Sequence, residues 1–178
     1  VVNNSGKILV IDKNTFALKG KITGLVSPRY IHFISDSKAY VSDLYGRVMH
    51  IVNPQSLQKT AEIDLGDPSS PIPQHNADRM LQYGNRLFTT CWNFDDMLLV
   101  IDTETDALIN SLKVPLQPNN MLLDKEEKLW VLCDGGYEGN ALGHEKPALL
   151  QIDPFSMEVL KTFNFELEES PTELTANN

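Results

Sequence analysis

Apolar and polar positions fall in short alternating runs along this chain, and one arrangement of them returns four times. Ile8-Leu9-Val10-Ile11-Asp12, Met49-His50-Ile51-Val52-Asn53, Leu98-Leu99-Val100-Ile101-Asp102 and Leu149-Leu150-Gln151-Ile152-Asp153 each carry an apolar run into an Asp or Asn turn. Their first residues are 41, 49 and 51 positions apart. A further run follows each turn, at 18–22, 58–63, 107–112 and 159–163. Upstream lie Lys38-Ala39-Tyr40-Val41, Arg86-Leu87-Phe88-Thr89-Thr90 and Lys128-Leu129-Trp130-Val131-Leu132, and before these come shorter apolar runs at 28–34, 78–81 and 118–123. The runs are rich in β-branched and aromatic residues and are bounded by Gly, Pro, Asn and Asp, so they predict strands joined by tight turns.

Four short antiparallel strands in a unit of about 40–45 residues are the signature of a propeller blade. The chain therefore reads as all-β, a β-propeller of four-stranded antiparallel blades. Three blades are expected at 26–66, 67–115 and 116–166, with a partial blade at 1–25 and the first strand of another at 167–178. Val1-Val2-Asn3-Asn4 aligns with Tyr40-Val41-Ser42-Asp43, the end of a second strand, and Pro171-Thr172-Glu173-Leu174 aligns with a first strand. The expectation is a partial array from a seven-bladed propeller. The alternative is a small ring in which the last strand completes the first blade.

Ser27-Pro28-Arg29-Tyr30-Ile31-His32-Phe33, Ser37-Lys38-Ala39-Tyr40-Val41-Ser42-Asp43 and His50-Ile51-Val52-Asn53-Pro54 resemble the YVTN or YncE-like repeat of surface-layer-type propellers. In that repeat a Pro opens the inner strand, a Tyr-Val-Thr-Asn-like string ends the second and a Val-Ile-Asp-like string ends the third. The match is looser in the other blades, where Thr90-Cys91-Trp92-Asn93 and Leu132-Cys133-Asp134-Gly135 take the place of the second string. No Trp-Asp dipeptide supports a WD40 reading, and Gly135-Gly136 does not recur as a kelch repeat requires.

The resemblance implies that the lead-ins to the inner strands and the loops between second and third strands share one face around a central channel. The candidate ligand residues on it are Arg29, Asp43, Tyr45, His75, Asn76, Arg79, Trp92, Asn93, Phe94, Asn119, Asn120, Tyr137 and His144. Gln74, Asp78, Gln117, Asn140, Thr172 and Glu173 fall on the same face. Two insertions lengthen it, Asp67-Pro68-Ser69-Ser70-Pro71-Ile72-Pro73 and the stretch 135–146. Insertions gathered on one face of a repeat array mark a binding side. Aromatic planes with amides suit a bulky, partly polar ligand, although Trp92 and Phe94 serve equally well as packing between blades.

Other motifs yield less. Asp102-Thr103-Glu104-Thr105-Asp106 looks like the start of a calcium loop, but the same place in the other repeats is a hairpin turn, and the Gly and final Glu of an EF-hand are missing. The glycines at 135–139 have no following Lys-Ser/Thr to complete a phosphate loop. His32 and His50 sit within strands, while His75 and His144 sit in long loops where either could meet a ligand. Cys91 and Cys133 hold matching positions in adjacent blades, too far apart for the roughly 4.4–6.8 Å that a disulfide spans, and are expected to stay unbridged. No catalytic set, metal-ligand set or cofactor motif is read.

Composition narrows the partners. With 42% hydrophobic and 22% charged residues the chain can build a core, and no apolar run approaches the roughly 18 residues of a membrane span. Fifteen Lys and Arg against 24 Asp and Glu give a net charge of −9, with no basic stripe of the kind that nucleic-acid binding requires.

Three functions follow from the resemblance. The first is a non-catalytic module at the cell surface, held by a lipid anchor outside this stretch, that captures a bulky small molecule such as a cobamide. The second is a lactonase-like hydrolase using Asn119, Asn120 and Glu173 near the channel. The third is a structural surface-layer component that binds another surface protein.

Overall fold

The computed structural model of the chain describes residues 5–66 and 75–177. Among them are fourteen strands in four antiparallel sheets, and no helix. β1 (Lys7–Ile11) and β2 (Leu18–Thr23) form a two-stranded sheet. The other three are four-stranded meanders, each in sequence order. They are β3 (Pro28–Ser35), β4 (Lys38–Asp43), β5 (Val48–Asn53) and β6 (Gln58–Asp64); then β7 (Met80–Tyr83), β8 (Arg86–Cys91), β9 (Met97–Asp102) and β10 (Ala107–Lys113); then β11 (Pro118–Leu123), β12 (Leu129–Cys133), β13 (Ala148–Ile152) and β14 (Val159–Asn164). This is the blade architecture that the repeat predicts. Val1 to Asn4, the Asp67–Pro73 insertion and Gln74 lie outside the described residues.

The chain divides into two compact units, Val1–Met80 and Leu81–Asn178. In the first, Ile8 and Ile22 of the two-stranded sheet, with Leu25 in the link that follows it, pack on Ala39, Val41 and Val52 of the β3–β6 sheet. In the second, Phe88, Leu98 and Val100 of one sheet meet Leu129, Val131, Cys133, Leu150 and Ile152 of the next. The register explains which residues point inward. Phe88 lies opposite Val100 and Val131 opposite Leu150, so alternate positions of neighbouring strands share one face.

The repeated Asp or Asn makes the same turn in every copy. Asp12, Asn53, Asp102 and Asp153 each accept the amides two and three residues ahead, at 2.8 to 3.0 Å. The chain then passes through a left-handed residue, Phe16, Leu57, Asp106 or Met157, with φ between 56° and 61°. Such Asx turns fix the length of the β-hairpin and hence its register.

One expectation is corrected. The inner strand foreseen at 78–81 runs at Met80–Tyr83, because the segment before it turns its side chains inward: His75, Ala77 and Asp78 are all buried. The stretch 167–178, expected as the first strand of a further blade, is tied to β11 by Asn119 Nδ2 donating to Pro171 O and Asn120 Nδ2 donating to Glu173 Oε2.

Phe88 is fully buried whereas Phe16 is three-quarters exposed. Phe88→Ala is therefore expected to cost about 3–5 kcal/mol and Phe16→Ala less than about 0.5 kcal/mol. Urea unfolding of the two variants checks the contrast, and equal losses would contradict the packing described.

Candidate functional site

In an antiparallel meander the loop between the second and third strands emerges at the same end as the link to the next sheet. Each unit therefore has one end built from these two kinds of segment. The candidate residues lie there, and the structure sorts them into side chains that hold the loops and side chains that face solvent.

In the first unit Asp43 closes β4 and is fully buried. Oδ1 accepts the amides of Ser27 at 2.8 Å, Gly46 at 2.9 Å and Tyr45 at 3.2 Å, while Oδ2 accepts that of Val26 at 2.8 Å and lies 3.1 Å from His50 Nε2. His50 Nδ1 lies 3.2 Å from Glu62 Oε1. Asp43 thus ties the link after β2, the loop after β4 and the third strand together. It is buried beneath that end of the unit.

Arg29 donates from Nε to the buried Asp78 Oδ1 at 3.3 Å. Burial pushes the Asp78 carboxyl up, against the pull of the Arg29 and Arg79 guanidiniums. The Arg79 guanidinium lies over the Tyr30 ring at 5.2 Å. His75, expected in a long loop where it could meet a ligand, is fully buried, and Asn76 is half-buried. Of the first unit's candidates, Tyr45 presents an exposed ring.

The second unit is organised around Asp134, which the candidate set lacks. Asp134 Oδ2 accepts Trp92 Nε1 at 2.9 Å and Asn119 Nδ2 at 3.4 Å, and Oδ1 accepts the Gly136 amide at 3.0 Å. The loops that follow β8 and β12 are thereby joined through side chains 42 residues apart. Asn119 Nδ2 also donates to Pro171 O at 2.9 Å, and Asn120 Nδ2 donates to Glu173 Oε2 at 3.1 Å. Asn119 Oδ1 is buried and accepts no hydrogen bond from the described residues.

The long loop 135–146 folds back on its own stem. Gly136 bridges to His144, the Glu145 amide donates to Gly135 O at 2.9 Å, and Asn140 Nδ2 reaches Gln117 Oε1 at 3.4 Å. A Cβ on Gly135 would meet Glu145 O at 2.2 Å, and its φ of +79° is left-handed, so glycine alone fits this crossing. What remains outward is Phe94, Tyr137 and His144, with Asn93 half-buried beside Phe94.

Register also corrects one alignment. Asp43 and Cys133 each lie opposite the Pro that opens the inner strand of their sheet, Pro28 and Pro118. The counterpart of Asp43 is therefore Cys133, not Gly135, and the acid at this end of the third sheet comes one residue later. An acid just past the strand and directly before two glycines was the available signal for Asp134. Cys91 and Cys133 are both buried and no disulfide joins them. Burial, then Asp134 and Glu145, push the Cys133 thiol well up, away from the reactive thiolate.

No protein-family model matches the chain, and no curated protein matches it. Among solved structures, hydrazine synthase of Kuenenia stuttgartiensis is similar over 90% of this chain and 43% of its own, at 18% identity and a TM-score of 0.73. The dihydro-heme d1 dehydrogenase NirN, in complex with DHE, is similar over 89% of this chain and 33% of its own, at 14% identity and a TM-score of 0.67. Both are β-propeller-type proteins. The shared feature is the fold. This chain spans less than half the length of either, and a fold hosts many functions, so the likeness carries the architecture and no activity.

Burial alone would raise the Asp43 carboxyl, but His50 and the Val26, Ser27 and Tyr45 amides outweigh it and hold the group at about 2, below its ordinary 3.8. A depressed folded-state value adds stability that is complete above the unfolded value and is lost as pH falls through the folded one. The window is therefore from about pH 4 down to about pH 2. Asp43→Asn is expected to cost about 3 kcal/mol at pH 7 and to flatten the loss of stability across that window. Urea midpoints measured from pH 7 to pH 2 test this, and an unchanged acid slope in the variant would refute the assignment.

Proposed function

We propose that this chain is a non-catalytic binding portion of a YVTN-type surface propeller, capturing a bulky, partly polar small molecule of the cobamide class. One observation carries the reading. Each of the three loops between second and third strands presents one exposed aromatic, Tyr45 at 56%, Phe94 at 45% and Tyr137 at 52%, close to a side chain that is locked into the scaffold. The three loops differ in length and sequence, so local folding does not require the recurrence. Exposed rings on preorganised loops give contact area with little entropy left to lose on binding.

Two further points support it. The named substrate of one fold neighbour, dihydro-heme d1, is also a large macrocycle, a precedent for ligand size only. Several basic side chains pair with acids, Lys59 with Glu62, Lys128 with Asp153 and Lys146 with Glu166, so a polyanion such as nucleic acid would compete with an acid at each.

A second reading, lactonase-like hydrolysis, is favoured by the contact between Asn120 and Glu173 and by the buried Asn119 Oδ1 beside it. Lactone turnover assayed with and without added calcium or zinc separates it from capture.

Cobalamin and hemin titrations followed by tryptophan fluorescence test the proposal. Saturable quenching is expected, weakened at least tenfold by the double substitution Phe94→Ala, Tyr137→Ala, a loss of about 1.4 kcal/mol, with unfolding midpoint unchanged. Absence of saturable quenching by either macrocycle would sink the ligand class. Trp92→Ala is the wrong probe, because it removes the bond to Asp134 and loosens two loops at once.

A further inference from the structure

On the same end of the second unit, between the link that follows β10 and the long loop after β12, lies an open groove of about 410 Å³. Its floor is apolar: Val114 and Leu116 are nearly buried, and Leu142 stands along one side. Its rim is charged. Asp96 Oδ2 holds Lys113 Nζ at 3.0 Å, and Glu145 Oε1 accepts the Leu116 amide at 2.6 Å. Glu145 Oε2 accepts no hydrogen bond from any described residue. Of these residues the sequence marked only Leu142 and Glu145, as part of the insertion at 135–146.

We propose that this groove is a subsite for an organic cation, an ammonium or guanidinium carried on an apolar stem. The proposal rests on the reading of this end as a ligand-capturing surface and supplies the class of one arm of the ligand. Two carboxylates face a single ammonium, so the rim is net negative, and the acid surplus of the whole chain points the same way. Both carboxylates act on one place, since Asp96 first and Glu145 also raise the Lys113 ammonium above its ordinary value.

Lys113 does not block the site. Its side chain is 76% exposed, and an exposed ion pair holds it only weakly, so an incoming cation can take its place beside Asp96 while pairing with Glu145 Oε2. The stem then lies on Val114, Leu116 and Leu142. A carboxylate or phosphate in the same position would meet two like charges. The volume lies within the roughly 300–1,000 Å³ of small-molecule sites.

The test uses hexylammonium, hexanol and hexanoate as probes of equal stem, followed through the methyl NMR signals of Val114, Leu116 and Leu142. Hexylammonium is expected to shift these signals saturably, at least about fivefold more tightly than hexanol, with hexanoate weaker still. Glu145→Gln keeps an acceptor for the Leu116 amide. It should weaken hexylammonium about fivefold, leave hexanol unchanged and abolish part of the salt dependence. Equal binding of hexanol or hexanoate, or no saturable shift with hexylammonium, overturns the proposal. The macrocycle titration is read separately: hexylammonium binding without a macrocycle response removes the capture of that ligand class and keeps the cation subsite, and the reverse result removes the subsite alone.

Discussion

Met97, Leu98, Leu99, Val100 and Ile101 are buried one after another along β9, so side chains on both faces of that strand need cover. β4 and β8 are nearly the same, while the outer strands β6 and β14 are exposed along most or all of their length. A meander with this gradient is stable only when its middle strands are stacked against another sheet, which is what Phe88, Leu98 and Val100 find in Leu129, Val131 and Leu150. The stacking fixes register, because a slip of one residue would exchange the two faces of every strand. The Asx turns at Asp12, Asn53, Asp102 and Asp153 keep that register locally, so the ends of the sheets are free to vary.

That division explains what could be read from the chain. The cassettes were legible because a strand covered on both faces demands a short continuous apolar run and the turn demands Asp or Asn, and both are properties of neighbouring residues. The inner strand at Met80–Tyr83 was displaced from its expected place because its start depends on what the preceding segment buries, which no local pattern records. The site was legible only in part. Placing Tyr45, Phe94 and Tyr137 on one kind of loop required only the repeat, whereas the roles of Asp43 and Asp134 depend on partners that the fold brings in. His50 is near Asp43 in sequence, but Trp92 reaches Asp134 across 42 residues, and no spacing rule anticipates that contact.

The same distinction has a chemical meaning. A carboxylate surrounded by amides, as Asp43 is by those of Val26, Ser27, Tyr45 and Gly46, is a strong acceptor already filled. Moving it toward a ligand would strand several buried donors, at about 1–3 kcal/mol each. Asp134 is engaged similarly by Trp92, Asn119 and the Gly136 amide. These groups set the position and stiffness of the loops. The rings that project from those loops are unencumbered in this way and lose little on contact.

Glu145 stands between the two classes, with one oxygen spent on the Leu116 amide and the other open. The spent oxygen ties the long loop to the link before β11, and the Gly135 crossing, where no side chain fits, carries the chain back to the same point. A carboxylate tethered through one oxygen keeps its place on the rim of the groove that Val114 and Leu116 line. Preorganisation of that kind costs the fold a constrained loop, and its return is an acceptor that need not be reoriented when a cation arrives.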